Sequence, residues 1–179
     1  WVRVTFDPTG SMAPTYRPLG VVLAFTSGIM GWSMLDEGYS SALEQARAAG
    51  LTIVFEIGDL EHTDHPNGML IEVETGEGSG LQVVAEAVGG GGVRLVRIQD
   101  WQVDLDGRAH ELLVEVDVAG EAQVADLLKG ASRQEADGAL FFRHQNIDPP
   151  ARESLTTLRG LPGVRGVWAT APVFCVRTG

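Results

Sequence analysis

The chain has 179 residues, 44% of them hydrophobic and 21% charged, and a formal net charge of −11. This balance excludes wholesale disorder, and the length allows one domain or two small ones, each with a real core. Lys and Arg total 13 against 24 Asp and Glu, an excess that argues against nucleic acid and against anionic membrane surfaces as partners.

In chain order, Val2 to Phe6 alternates and is β-rich, so it reads as a strand broken by Asp7-Pro8-Thr9-Gly10. Ser11 to Arg17 reads as a polar loop containing Pro14. Leu19 to Met30 is apolar all round and predicts a buried helix, with Pro18 in its first turn. This run, extended to Trp32 and interrupted by Gly20, Thr26, Ser27, Gly28 and Gly31, falls short of the roughly 20 apolar residues of a membrane span. It has no basic n-region or cleavage site of a signal peptide. The start at Trp1 rather than Met leads us to expect further residues ahead of it. Tyr39 to Ala49 predicts a helix with Ala42, Leu43, Ala46 and Ala49 on its apolar face and Gly50 as its stop.

Leu51 to Ile57 reads as a strand, Gly58 to Gly68 as a polar loop, and Met69 to Glu74 with Leu81 to Val88 as a hairpin joined through residues 76–80. After the glycine run Gly89 to Gly92, Val93 to Ile98 and Trp101 to Leu105 are further strands, ended by the Asp106-Gly107 turn. We place a domain boundary there, dividing the chain into residues 1–107 and 108–179. The second part reads βαβαβ: strand Leu112 to Val116, helix Glu121 to Leu128 stopped by Gly130, strand Ala139 to Arg143, helix Pro150 to Leu158 and strand Val164 to Ala169. A short strand, Val173 to Val176, follows Pro172. The fold class is α+β.

The glycine run invites two readings of equal weight, an anion cradle of backbone N–H groups or a bulge where backbones approach. Neither a phosphate loop nor a dinucleotide fingerprint fits, because no Lys-Ser or Lys-Thr follows and a strand comes next instead of a helix. Glu61-His62-Thr63-Asp64-His65 places metal-ligating types close together, but on a Pro-containing loop; a solvated loop is the favoured reading, and no metal is expected. Ser11 lacks the Gly-x-Ser-x-Gly elbow of an esterase and reads as a hydrogen-bonding loop residue. The one cysteine, Cys175, reads as a small strand hydrophobe, suits a reducing cytoplasm, and excludes an internal disulfide, a Cys-rich zinc site or an iron–sulfur cluster on this chain. Between Arg47 and Arg94 there is no Lys or Arg, while Glu56, Asp59, Glu61, Asp64, Glu72, Glu74, Glu77 and Glu86 all occur. This is the solvated side of a hairpin or an acidic face for a basic partner; the first is favoured.

Gly10-Ser11-Met12-Ala13-Pro14-Thr15-Tyr16-Arg17-Pro18-Leu19-Gly20-Val21-Val22 is similar to a loop that reads Gly-Ser-Phe-Ala-x-Thr-Tyr-Arg-Gly-His-Gly-Thr-Asp. Ile29 to Trp32 with Asp36-Glu37, His65-Pro66-Asn67 and Val88 to Leu95 match further segments in the same order. From Val2 to about Val116 this ordered set resembles the β chain, or β domain, of iron–sulfur-dependent L-serine dehydratase, the L-serine ammonia-lyase family.

The resemblance implies an allosteric substrate-binding-type domain over residues 1–107 and an ACT-like domain over 108–179. The latter is shortened, since one strand stands where βαββαβ has two. It also implies a cluster-bearing α subunit as partner, with a 4Fe–4S cluster held there and none here. In the family, one iron acts as Lewis acid on the serine hydroxyl while a base takes the α-proton, giving pyruvate and ammonia. Ser11, Thr15, Tyr16 and Arg17 would face the partner's active site, Arg17 as a bidentate carboxylate ligand. His65, Asn67, Gly89, Gly90, Gly91 and Gly92 would form an allosteric-type pocket for a small amino acid. The complex would be cytoplasmic, and the chain would dimerise. The family's His, Thr and Asp in the loop are Leu19, Val21 and Val22 here, so polar positioning by them is lost. That leaves a regulatory β chain, a lyase for a less polar β-substituted amino acid, or a non-catalytic amino-acid-binding module.

Overall fold

β1 (Val2–Phe6) sits inside a six-stranded sheet because nearly every residue on it can be buried. Val2, Val4 and Phe6 are at most 1% exposed and face the helices, while Arg3 and Thr5 look the other way, toward the carboxylate of Glu56. A computed structural model of the chain describes residues 1–76 and 80–172. The middle of the expected connection at 76–80, the expected strand Val173 to Val176, and Cys175 lie outside the described residues.

After β1, residues 11–17 are not a plain loop. Met12–Thr15 forms a single helical turn, α1, that buries Ala13 and delivers Tyr16 to the core. α2 (Val21–Ile29) follows Gly20, whose φ of 74° requires glycine and which puts Pro18 in the preceding turn instead of the helix. α2 is not a buried helix either. Val21, Val22 and Phe25 pack on the core, but Ala24, Gly28 and Ile29 are exposed. Its most buried residues are the polar pair Thr26 and Ser27, at 0% and 1% exposure.

A 3-10 turn at Tyr39–Ser41 leads into α3 (Ala42–Ala48), which buries Ala42 and Ala46. Gly50, at φ 76°, closes it: its N–H bonds the Arg47 carbonyl and that of Leu51 bonds the Ala46 carbonyl, the paired bonds of a Schellman stop. β2 (Ile53–Ile57) pairs parallel with β1. β3 (Gly68–Glu74) pairs antiparallel on the other side of β1, and β4 (Gly80–Gly89), β5 (Gly92–Ile98) and β6 (Trp101–Leu105) continue outward, giving the order β2-β1-β3-β4-β5-β6. An aromatic group of Phe6, Tyr16, Phe25 and Phe55, with centroids 4.9–6.4 Å apart, joins sheet to helices.

Compact units divide between Asp104 and Leu105. In the second, β7 (His110–Asp117), α4 (Glu121–Leu127), β8 (Ser132–Ala136), β9 (Ala139–Asn146), α5 (Arg152–Arg159) and β10 (Val164–Thr170) give βαββαβ. The sheet order is β10-β7-β9-β8, that of the split βαβ motif. The expected βαβαβ pattern and its shortening are thereby corrected. β8 is a full strand, paired with β9 from Ser132↔Arg143 to Ala136↔Ala139 through the Asp137-Gly138 turn. All five of its residues are exposed, so no apolar alternation marks it. α5 starts at Arg152, not Pro150. Leu112, Val114, Val116, Leu140, Phe142 and Val167 meet Val124, Leu128 and Leu158 from the helices in one core.

Candidate functional site

The antiparallel pairing of β1 with β3, Phe6 opposite Met69, brings the segment after β1 against the segment before β3. Gly10 lies so close to residues 66 and 67 that a Cβ there would stand 1.7 Å from the Pro66 carbonyl oxygen and 2.6 Å from Asn67 Oδ1. Only glycine fits. The contact is then tied by hydrogen bonds: Asn67 Oδ1 accepts from Ser11 Oγ and from the Met12 N–H, both at 3.1 Å. Two residues expected in separate places, Ser11 and Asn67, thus belong to one cluster.

The two arms of this cluster are internally fixed. Asn67 N–H donates to His65 Nδ1 at 3.1 Å, which makes Nδ1 the unprotonated ring nitrogen in this geometry. Gly68 is another forced glycine, with Thr63 Cγ2 2.5 Å from where its Cβ would be. On the opposite arm, Thr15 Oγ1 donates to the Ser11 carbonyl at 2.5 Å. Tyr16 is buried, and its hydroxyl accepts from Arg17 Nε at 3.0 Å. The Arg17 guanidinium lies 5.1 Å from the Tyr16 ring centroid, a cation–π contact that holds an exposed arginine in place. Ser11 is hydrogen-bonded to an amide oxygen and not to a base, so the arrangement suits polar recognition and gives no activated nucleophile. Asp7, at the base of the loop, accepts from Thr9 Oγ1 and then from Thr9 N–H, and these bonds hold its carboxyl below the usual 3.8.

His65 also borders a concave surface of about 820 Å³ on the far side of the 61–66 segment. Its other walls come from β4, β5 and β6: Glu86, Arg94, Arg97 and Gln102 among them. Here Thr63 Oγ1 donates to Glu86 at 2.8 Å. Arg94 pairs with Asp104 at 2.7 Å, and Arg97 reaches Asp100, the Gln99 carbonyl and His62 Nδ1. Neither arginine is close to the 61–65 run in sequence, which is why a reading by local clusters misses them. The β4–β5 register, Glu86 opposite Arg94, is the signal that would have found them.

The expected pocket set does not come together as one cavity. His65 lines the concave surface, Asn67 turns to Ser11, and Gly89 to Gly92 make the β4–β5 turn, with positive φ at Gly89, Gly90 and Gly91. Positive φ at both central residues, Gly90 and Gly91, is what a type I′ two-residue hairpin turn demands. His62 is engaged by a guanidinium, a poor neighbour for a cation. Among the described residues no three His, Cys, Asp or Glu side chains gather as a metal site, and no helix is long and apolar enough to cross a membrane.

No protein-family model matches the chain. Two curated relatives do. The "L-serine dehydratase, beta chain" of Peptoniphilus asaccharolyticus is 29% identical over 113 residues, 63% of this chain and 51% of its own. The "Probable L-serine dehydratase, beta chain" of Bacillus subtilis (strain 168) is 29% identical over 112 residues, 63% of this chain and 50% of its own. The chain therefore spans about half the length of the curated relatives it matches. With these two matches the resemblance drawn from the ordered motifs stands: over 63% of its length this chain is similar to the β chain of L-serine dehydratase.

Proposed function

We propose that the chain is the β component of an L-serine dehydratase-like lyase that eliminates the β-substituent of a small amino acid, working with a separate α subunit that carries the reaction centre. The observation that carries this is the pair of β-chain relatives, matched over 63% of the chain. The Ser11–Asn67 contact supports it, because it joins two of the motifs on which the resemblance rests. The first unit is then the allosteric substrate-binding-type domain and the second the ACT-like domain. The complete βαββαβ order favours the latter assignment.

A 4Fe–4S cluster, which the resemblance implies, does not fit this chain. It has one cysteine, where such a cluster needs several thiolates. The cluster belongs to the α subunit. The part played by this chain is binding and orientation: Arg17, fixed on Tyr16, meets the substrate carboxylate, and Ser11 and Thr15 shape the loop beside it. Val21 and Val22 pack on the aromatic core, so two of the three aliphatic replacements in the loop are core residues, which weakens the reading of a less polar substrate site.

Co-expression with a cysteine-bearing companion chain tests the proposal. The expected result is a brown, iron-containing heteromer that converts serine to pyruvate, and failure of any companion to form such a complex refutes it. A second reading, an amino-acid-binding module without catalysis, draws on the concave surface bordered by Glu86, Arg94, Arg97 and His65, which offers both signs of charge to a zwitterion. Calorimetry of the isolated chain with serine and related amino acids separates the two: heat without a companion complex favours the module.

A further inference from the structure

The core of the second unit stays open at one end. Side chains alternate along a strand, so β9 sends Leu140, Phe142, His144 and Asn146 to the side on which the helices pack. Leu140 and Phe142 are buried in the core. His144 stands opposite Leu112, where the buried series Val116, Val114 and Leu112 of β7 ends. The sequence thus puts an imidazole and an amide at the last two inward positions of the strand. α4 has already ended at Leu127, and α5 begins only at Arg152, after Pro149-Pro150. An opening of about 740 Å³ remains between them, the size of a small-molecule site.

Its floor is apolar, made by the buried Leu112, Leu128 and Leu158. At its edge Leu127 is half exposed and Ile147 is 97% exposed, apolar surface that a ligand would take out of water. The polar groups sit at one side. The His144 ring hydrogen-bonds no other described residue, and Asn146 Nδ2 donates to the His144 carbonyl at 3.5 Å, which keeps the amide beside it.

Charge fixes the other half of the ligand. Asp148 and Glu153 line the opening, and no Lys or Arg does. The cations of the surrounding elements are engaged elsewhere or stand outside. Lys129 pairs with Asp126, Arg143 pairs with Glu111 on the opposite side of the sheet, and Arg159 donates to the Val167 carbonyl. Arg152 is exposed and is not part of the lining. An entering carboxylate meets two like charges. An ammonium meets two opposite ones and can donate to the imidazole.

We infer that this opening is a binding site for an apolar primary amine, with its ring or branched chain on the three leucines and its ammonium held by Asp148, Glu153 and His144. A free amino acid has the same ammonium but brings a carboxylate that these two acids repel. The site therefore selects amines over the zwitterions that suit the concave surface of the first unit. The inference does not depend on the lyase reading.

The test is titration of the full chain with 3-methylbutylamine and 2-phenylethylamine, read by calorimetry and by NMR of the His144 ring. Saturable binding that shifts the His144 signals is expected, about 10-fold tighter than for leucine, phenylalanine or 3-methylbutanoate. Ser154→Trp, at an exposed position of the lining, fills the opening and should abolish binding with the circular dichroism unchanged. Asp148→Asn combined with Glu153→Gln should erase the preference for amine over carboxylate, and His144→Ala should weaken amine binding about 5-fold. Glu44→Gln, on α3, removes a carboxylate elsewhere and should change nothing. Absence of binding by both amines overturns the proposal. So does equal binding of 3-methylbutanoate by the wild type, and so does amine binding that Ser154→Trp leaves intact.

Discussion

α2 and α5 are helices of similar length in the two units, and they solve opposite problems. α5 buries Leu158, half-buries Leu155 and shows Arg152, Glu153, Thr156, Thr157 and Arg159 to water. α2 buries Thr26 and Ser27 and shows alanine, glycine and isoleucine. The charge of the units differs in the same sense: fourteen Asp and Glu against five Arg in residues 1–104, ten against eight Lys and Arg in 105–179. The second unit therefore has an ordinary solvated helix and a nearly balanced charge. The first has a surface whose free energy in water is poor at α2 and whose net negative charge repels itself. The comparison teaches that apolarity along a sequence marks a helix but does not fix which of its residues are buried.

The largest expected effects come from the two cores, one in each unit, on which the helices pack. Phe6→Ala removes the ring at the centre of the aromatic group and should destabilise the first unit by about 3–5 kcal/mol, read by urea unfolding. Leu158→Ala should cost the second unit about 2–5 kcal/mol. If the two variants shift separate transitions, the units are thermodynamically distinct. One shared transition would break the comparison.

Next is the ion pair of the second unit. Glu111, 3% exposed, receives two hydrogen bonds from Arg143, at 2.7 and 3.0 Å, and one from Gln145. Glu111→Ala leaves a partly buried guanidinium without its carboxylate and should cost about 2–3 kcal/mol, less than for a fully buried pair because Arg143 retains contact with water. Asn67→Ala should be milder, about 1–2 kcal/mol, since it strands the Ser11 hydroxyl and the Met12 N–H close to solvent. It should lower activity of the complex by more than that loss of stability explains, because it unties the Ser11 loop. Equal effects of Asn67→Ala and Glu111→Ala on activity would show that the loop has no special part.

The smallest effect is at Asp7. Its carboxyl is lowered below 3.8 by the Thr9 bonds, so it favours the folded state once the unfolded group is ionised. That contribution is complete above the unfolded value and is lost as pH falls through the lowered folded value. Asp7→Asn should flatten this dependence in acid titrations of stability, and it should lower stability slightly at neutral pH, where the contribution of the carboxylate is complete.

The strands of the first sheet were legible because alternation and glycine turns mark them, and the Gly50 stop follows from local chemistry alone. β8 was illegible because an edge strand with both faces in water needs no apolar residue; Ser132-Arg133-Gln134-Glu135-Ala136 carries none larger than alanine. α2 is legible as a helix but not as a partly exposed one, because a helix apolar on every side carries no stripe to tell the face on the core from the face in water. At the site, the residue types of the Ser11 loop and of Asn67 were visible, but their contact was not. It depends on the β1–β3 register across more than fifty residues.

That separation also sets an order of events. The β3–β4–β5–β6 meander pairs neighbours in sequence and closes short loops, whereas β1 must find β3 across the whole helical segment. Loop-closure entropy makes the local pairings early and the β1–β3 pairing late. The recognition loop is thus completed only when the sheet is. In pulsed hydrogen exchange the amides of β1 should gain protection after those of β4 and β5, so a chain still short of its last strand pairing would offer no finished loop to a partner.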